Sequence, residues 1–189
     1  MTSDGHALTG VILAGGRSRR MGSDKALLRV GGRRLIDIAV ELLATLCVEV
    51  IVAAGPRVVA DLRVRQVHDA GDQGPLAGIV AGLAAASTEL AAVVAVDMPA
   101  IDALLLADLG RRWRGEPAVV PRAGGQLQPL HAVYATASLD ALRSCLQAGQ
   151  RSPARALAEM RALIVDVEND AFARNLNLPS DLPSRPPRP

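Results

Sequence analysis

Short, almost unbroken apolar runs alternate along this chain with longer segments of helical spacing, and that alternation limits the fold more than any other feature. Thr9–Leu13, Val48–Ala53, Ala91–Val96 and Ala118–Val120 are mostly Val, Ile and Ala, and Val64–His68 is a more mixed run of the same kind. Runs of this length without polar alternation suit strands covered on both faces, as in a parallel sheet. Between them, Leu35–Leu46 sets Ile36, Ala39, Val40, Leu43 and Ala44 on one helical stripe. Asp102–Trp113 does the same with Leu105, Leu106 and Leu109, and Asp102 stands where an N-cap belongs. Gly78–Ser87 is rich in Ala and Gly, which lets a helix lie close on a sheet. Further on, Pro129–Tyr134 reads as a strand, Ala137–Leu146 and Pro153–Met160 as helices, and Ala162–Val167 as an edge strand. Strand, helix, strand, repeated, predicts an α/β domain with a mainly parallel sheet and right-handed crossovers. Residues 1–182 are expected to form that single domain. Pro179–Pro189 holds five prolines and little that is apolar, so residues 183–189 are expected to be a disordered tail.

Composition removes several function classes. The 189 residues are half hydrophobic with a net charge of +2, which suits a buried core and supplies no general field for duplex DNA. Trp113, Tyr134 and Phe172 are the only aromatic residues, too few to stack single-stranded bases. Nucleic acid is not an expected partner. Nor is a membrane: the most apolar stretch, Pro75–Val96, is interrupted at Ser87-Thr-Glu89, and the N-terminus does not read as a signal peptide. Cys47 and Cys145 lie far apart with no CxxC pair, which suggests neither zinc nor a disulfide. A cytoplasmic protein is expected.

In an open parallel sheet, ligands bind beyond the carboxyl ends of the strands. The first strand here leads into Ala14-Gly-Gly-Arg-Ser-Arg-Arg-Met-Gly-Ser-Asp-Lys25, the third into Asp69-Ala-Gly-Asp, and the fourth into Asp97-Met-Pro99. The first loop lacks both the GxGxxG spacing and the Gly-Lys-Ser/Thr ending of a Walker loop. It still combines Gly15 and Gly16, which allow close backbone approach to an anion, with the charges of Arg17, Arg19, Arg20 and Lys25. Lys25 is the only lysine among 21 basic residues, which points to a place where a compact ammonium is needed. Asp97 closes a buried strand, where a carboxylate is costly unless bonded, paired or bound to a cation; beside phosphates, that cation is Mg²⁺. The loop also reads as a solvated basic turn, Asp97 as a cap on its turn, and Asp69 as a ligand contact, a metal helper or a turn starter. His6 and His68 have no evident partners, and His131 reads as a packed neutral ring ahead of a substrate contact. Ser18 and Ser23 lack a GxSxG elbow, which argues against covalent serine catalysis.

Taken whole, Leu13-Ala-Gly-Gly-Arg-Ser-Arg-Arg-Met-Gly-Ser-Asp-Lys-Ala-Leu-Leu28 resembles the signature loop of the molybdenum cofactor guanylyltransferases. Gly74-Pro-Leu-Ala-Gly78, Val96-Asp-Met-Pro99, Pro129-Leu-His-Ala-Val-Tyr134 and Asn175-Leu-Asn177 match later blocks of that family in order. The resemblance implies a three-layer Rossmann-like nucleotidyltransferase fold and transfer of GMP from GTP to molybdopterin, with Mg²⁺ as cofactor. It places Leu13, Ala14, Gly15 and Gly16 at the nucleotide, Lys25 and Arg19 at its phosphates, Asp69 at the nucleoside and Asp97 at the metal. Asn175 and Asn177 would lie near the metal and second substrate. Separately, the Gly-Gly pair within Val120–Gln128 marks that segment as a mobile rim over the pterin. Transient contact with other molybdenum cofactor enzymes is the expected protein partnership. Gly16 and Asp24 favour guanine over cytosine, whereas Ala53 replaces an Asn that the best-known guanylyltransferases use for the nucleotide. The rival readings are a CTP-dependent molybdopterin cytidylyltransferase, a sugar nucleotidyltransferase, a non-catalytic GTP-binding or cofactor-delivery protein, and a redox Rossmann domain.

Overall fold

The computed structural model describes residues 6–15, 27–69, 73–98, 100–168 and 170–173. In chain order the elements are β1 (Leu8–Leu13), β2 (Arg29–Val30), β3 (Arg33–Arg34), α1 (Leu35–Ala44), β4 (Glu49–Ala53), β5 (Arg65–Val67), α2 (Pro75–Ala85) and β6 (Leu90–Ala95). They continue with α3 (Ala103–Arg112), β7 (Ala118–Ala123), β8 (Gln126–Leu127), β9 (His131–Ala135), α4 (Leu139–Gln147), α5 (Pro153–Glu159) and β10 (Leu163–Val167). Among the described residues, eight strands make one sheet in the order β10-β7-β9-β6-β1-β4-β5, with β8 folded back on β7. β1 pairs parallel with β4 and β6, β4 with β5, and β7 with β10. β9 runs antiparallel between β6 and β7.

The predicted layering arises from where each strand's side chains go. Alternate residues of the central strands, Ile12, Val52, Val94 and Val133 among them, pack beneath α1 and α3. Their neighbours, Val11, Ala53, Val93 and Ala132, pack beneath α2, α4 and α5. Both faces are therefore covered, and this is why β1 and β6 are buried along their whole lengths. The small residues of α2 let it lie directly on β1: a Cβ on Gly82 would run into Val11. Asp102 caps α3 by accepting the Leu105 amide at 2.9 Å.

Three features depart from the sequence reading. α2 begins at Pro75, three residues before the expected Gly78, with Pro at its first helical position, where its missing N–H is harmless. The hairpin β2–β3, absent from the sequence reading, turns on Gly31 and Gly32, at φ 59° and 85°. The strand read as Ala118–Val120 runs on to Ala123, and β8 folds back on it around Gly124 and Gly125, at φ 55° and 77°. Both cysteines are free, and burial pushes the Cys47 thiol up to about 12. His6 does have partners: it lies 3.6 Å from Glu89 and packs edge-on against Trp113. No helix among the described residues is long and apolar enough to cross a membrane.

Candidate active site

The register across the sheet sets the site. Leu13 of β1 is level with Ala53 of β4 and with Ala95 of β6, and Ala53 is level with Val67 of β5. Counting two residues on from each brings Gly15, Gly55, Asp97 and Asp69 to the same carboxyl edge. In space the order is Asp69, Gly55, Gly15, Asp97, so the strands that lead to the two aspartates stand three strand spacings apart, about 14 Å. This is the crevice that an open parallel sheet offers to a ligand.

Hydrogen bonds carry the sheet a little past its strand ends. Ala14 and Gly15 both donate to the Ala53 carbonyl, at 2.9 and 3.0 Å, Ala54 donates to Val67, and Val96 donates to Leu13. The amides of Ala14 and Gly15 are thus engaged within the protein. Gly15 is a glycine for a packing reason as well: a Cβ there would stand 2.9 Å from the Gly55 nitrogen, a backbone atom with little freedom to retreat. Two loops meet here at backbone contact. Ala53 is buried, and its methyl lies 3.7 Å from where a Cβ on Gly78 would be, against the first turns of α2.

Asp69 lies just beyond β5, with its carboxylate Oδ2 3.8 Å from that same Gly78 position. The first turn of a helix presents unpaired amides and positive potential, which favours a carboxylate there. The preceding His68 is tied by its Nδ1 to the Gly55 carbonyl at 3.0 Å, so the loops after β4 and β5 are linked. Asp97 sits in the turn leaving β6, half-buried between Val96 and Met98, which are both buried. That turn is held at both ends by the start of β9. Ala95 donates to the Leu130 carbonyl at 3.0 Å, and Asp102 donates its amide to His131 Nε2 at 3.0 Å.

His131 is fully buried and stacks on Phe172, with ring centroids 4.5 Å apart. Burial lowers its pKa to about 4, so it is neutral near pH 7. Because Nε2 accepts, the ring proton is on Nδ1, and Nδ1 meets no partner among the described residues. Tyr134, the other polar side chain of β9, is buried and donates its hydroxyl to the Pro129 carbonyl at 2.9 Å. The sequence points to a packed, neutral His131 but to neither of these bonds. Their only trace in the sequence is a polar side chain toward each end of an otherwise apolar strand.

Among the described residues, no three His, Cys, Asp or Glu side chains gather as a preformed cation cage. Magnesium on a nucleotide does not need one: it takes one or two carboxylates, and phosphate oxygens and water complete its shell. Asp97 offers the hard oxygen such an ion takes. Gly16, Arg19, Lys25, Asn175 and Asn177 lie outside the described residues.

Comparison with known proteins gives a consistent likeness. Residues 10–163 match the family described as "MobA-like NTP transferase domain". The chain is 40% identical to a probable molybdenum cofactor guanylyltransferase of Opitutus terrae, covering 96% of each chain. It is also 40% identical to one from Chloroflexus aggregans, covering 93% of this chain and 91% of that one. Among solved structures, the molybdopterin-guanine dinucleotide biosynthesis protein A from Archaeoglobus fulgidus superposes with a TM-score of 0.78 at 23% identity. That match covers 93% of this chain and 95% of the other. It shows the same Rossmann-like fold.

Proposed function

This chain belongs to the MobA-like NTP transferase family, and on that footing we propose that it is a molybdenum cofactor guanylyltransferase. It transfers GMP from GTP to molybdopterin carrying its metal, releasing pyrophosphate. The observation that carries this reading is the level carboxyl edge of β5, β4, β1 and β6, with Asp69 and Asp97 at its two ends. An extended nucleotide fits such an edge, with the nucleoside toward Asp69 and the phosphates toward Asp97.

In the reaction, an oxygen of the acceptor's terminal phosphate attacks the α-phosphorus of GTP in line. A new P–O bond forms as the bond to the bridging oxygen breaks, and pyrophosphate leaves with that electron pair. The nucleophile is already ionised at neutral pH, so the protein has no proton to remove. Its residues hold and neutralise. The Leu13–Gly15 turn and Gly16 line the nucleotide, Asp69 accepts from the nucleoside, and Lys25 and Arg19 meet the phosphates. Asp97 would hold Mg²⁺, which when bound offsets phosphate charge during transfer. Asn175 and Asn177 stand for the acceptor end of the site. Ala53 brings no side-chain amide to the base, so the guanine edge is left to backbone groups and Asp69.

Pyrophosphate release tests this with each of the four nucleoside triphosphates, Mg²⁺ and metal-loaded molybdopterin. GTP alone should support turnover. Release with CTP alone would overturn the guanine assignment. Lys25→Ala and Asp97→Ala should each lower turnover by about 10²-fold or more, at unchanged far-ultraviolet circular dichroism. A near-normal rate for Asp97→Ala at saturating Mg²⁺ would remove that carboxylate from the site.

A further inference from the structure

We propose that His131 is a positioning residue for the reaction, because its Nε2, by accepting the Asp102 amide, fixes the turn that presents Asp97. The proposal rests on the reading of Asp97 as the carboxylate of the Mg²⁺–nucleotide site. The turn between β6 and α3 is anchored at its start by three backbone bonds: Ala95 to Leu130, Val96 to Leu13, and Met98 to Ala95. At its far end Asp102 caps α3 with its carboxylate, leaving its own amide to be met from outside the helix. The group that meets it is His131 Nε2, at 3.0 Å. Leu130 and His131 are consecutive, so two adjacent residues at the start of one antiparallel strand grip both ends of the turn.

The choice of residue argues for the grip over mere filling. A buried imidazole whose Nδ1–H meets nothing among the described residues costs stability that an apolar side chain of similar size would not. Histidine is retained here at that cost while its other nitrogen makes the bond to the turn. Phe172, stacked on the ring, leaves it little room to swing. His131 is fully buried and touches no solvent, so it acts on the reaction only through the turn.

The test compares wild type with His131→Phe, which keeps a ring and loses the acceptor, and His131→Gln, which restores an acceptor near the position of Nε2. Amide hydrogen exchange is followed in the ligand-free proteins, and calorimetry follows the Mg²⁺ concentration needed for half-maximal GTP binding. In His131→Phe, exchange over residues 97–102 should quicken by about tenfold while β1 and β4 stay protected. The Mg²⁺ requirement should rise by a similar factor, and His131→Gln should recover both. If His131→Phe does not fold, His131→Leu takes its place. Unchanged exchange over the turn, or equal quickening throughout the sheet, overturns the proposal. So does local quickening with a wild-type Mg²⁺ requirement. Failure of the wild-type protein to bind GTP with Mg²⁺ at all would instead overturn the reading of the site, while exchange still decides on the grip.

Discussion

Position 131 shows how one side chain's surroundings set its chemistry. Burial holds the imidazole neutral and brings its pKa from the ordinary 6.5 down to about 4. Since the folded value lies below the unfolded one, the unfolded chain takes up the proton first as pH falls. The neutral ring's contribution is therefore fully present above about pH 6.5 and is lost on acidification to about pH 4, a loss of roughly 3 kcal/mol. Urea denaturation between pH 7 and pH 4.5 should show stability falling with pH, and His131→Gln should flatten that slope. An unchanged slope in the variant would place the proton uptake elsewhere. The neutral state of this ring is legible from its apolar neighbours in sequence. Its partner is not, because Asp102 is 29 positions away and only the pairing of β6 with β9 brings the two together.

Two glycines in different helices separate packing from propensity. In α2, a Cβ on Gly82 would stand 3.1 Å from Val11 Cγ2 and closer still to Cγ1, in the buried seam against β1. Gly82→Ala should cost about 1–3 kcal/mol despite Ala being the better helix former. In α3, a Cβ on Gly110 would meet Leu8 only at 3.6 Å, an ordinary contact, so Gly110→Ala should stabilise by about 0.5–1 kcal/mol. Denaturation midpoints of the two variants moving in the same direction would contradict this account. The longer elements are readable because several consecutive residues carry a period: each long apolar run becomes a strand and each striped segment a helix. The hairpin β2–β3 and the return strand β8 are not, since strands of two residues have no period and the Gly-Gly turns beside them do not say what they join.

Across the whole molecule, the two acidic loop starts, Asp69 and Asp97, do stand beyond parallel strands of one edge, as the rule for open sheets leads one to expect. What the sequence withholds is strand order. Nothing in the apolar runs says that β4 and β6 flank β1, or that β5 lies beyond β4. The order emerges from crossovers that pack α1 and α2 on opposite faces. A ligand gripping four strands at once stabilises all of them together. GTP with Mg²⁺ should thus raise the thermal midpoint in a concentration-dependent way, the stabilisation reaching about 2.7 kcal/mol at a hundred times the dissociation constant. A midpoint that ignores GTP with Mg²⁺ would mean that the folded edge is not where the nucleotide binds.

The strand order also dictates a timetable. β1 is made well before its two hydrogen-bonded neighbours, which begin only at Glu49 and Leu90. At about 5–20 residues per second, a ribosome takes several seconds between finishing β1 and supplying the second of them. Throughout that interval the nascent chain carries an apolar ribbon with at least one bare flank, an invitation to chaperones or to another unfinished copy. Fully buried β1 is thus the chain's longest-waiting liability.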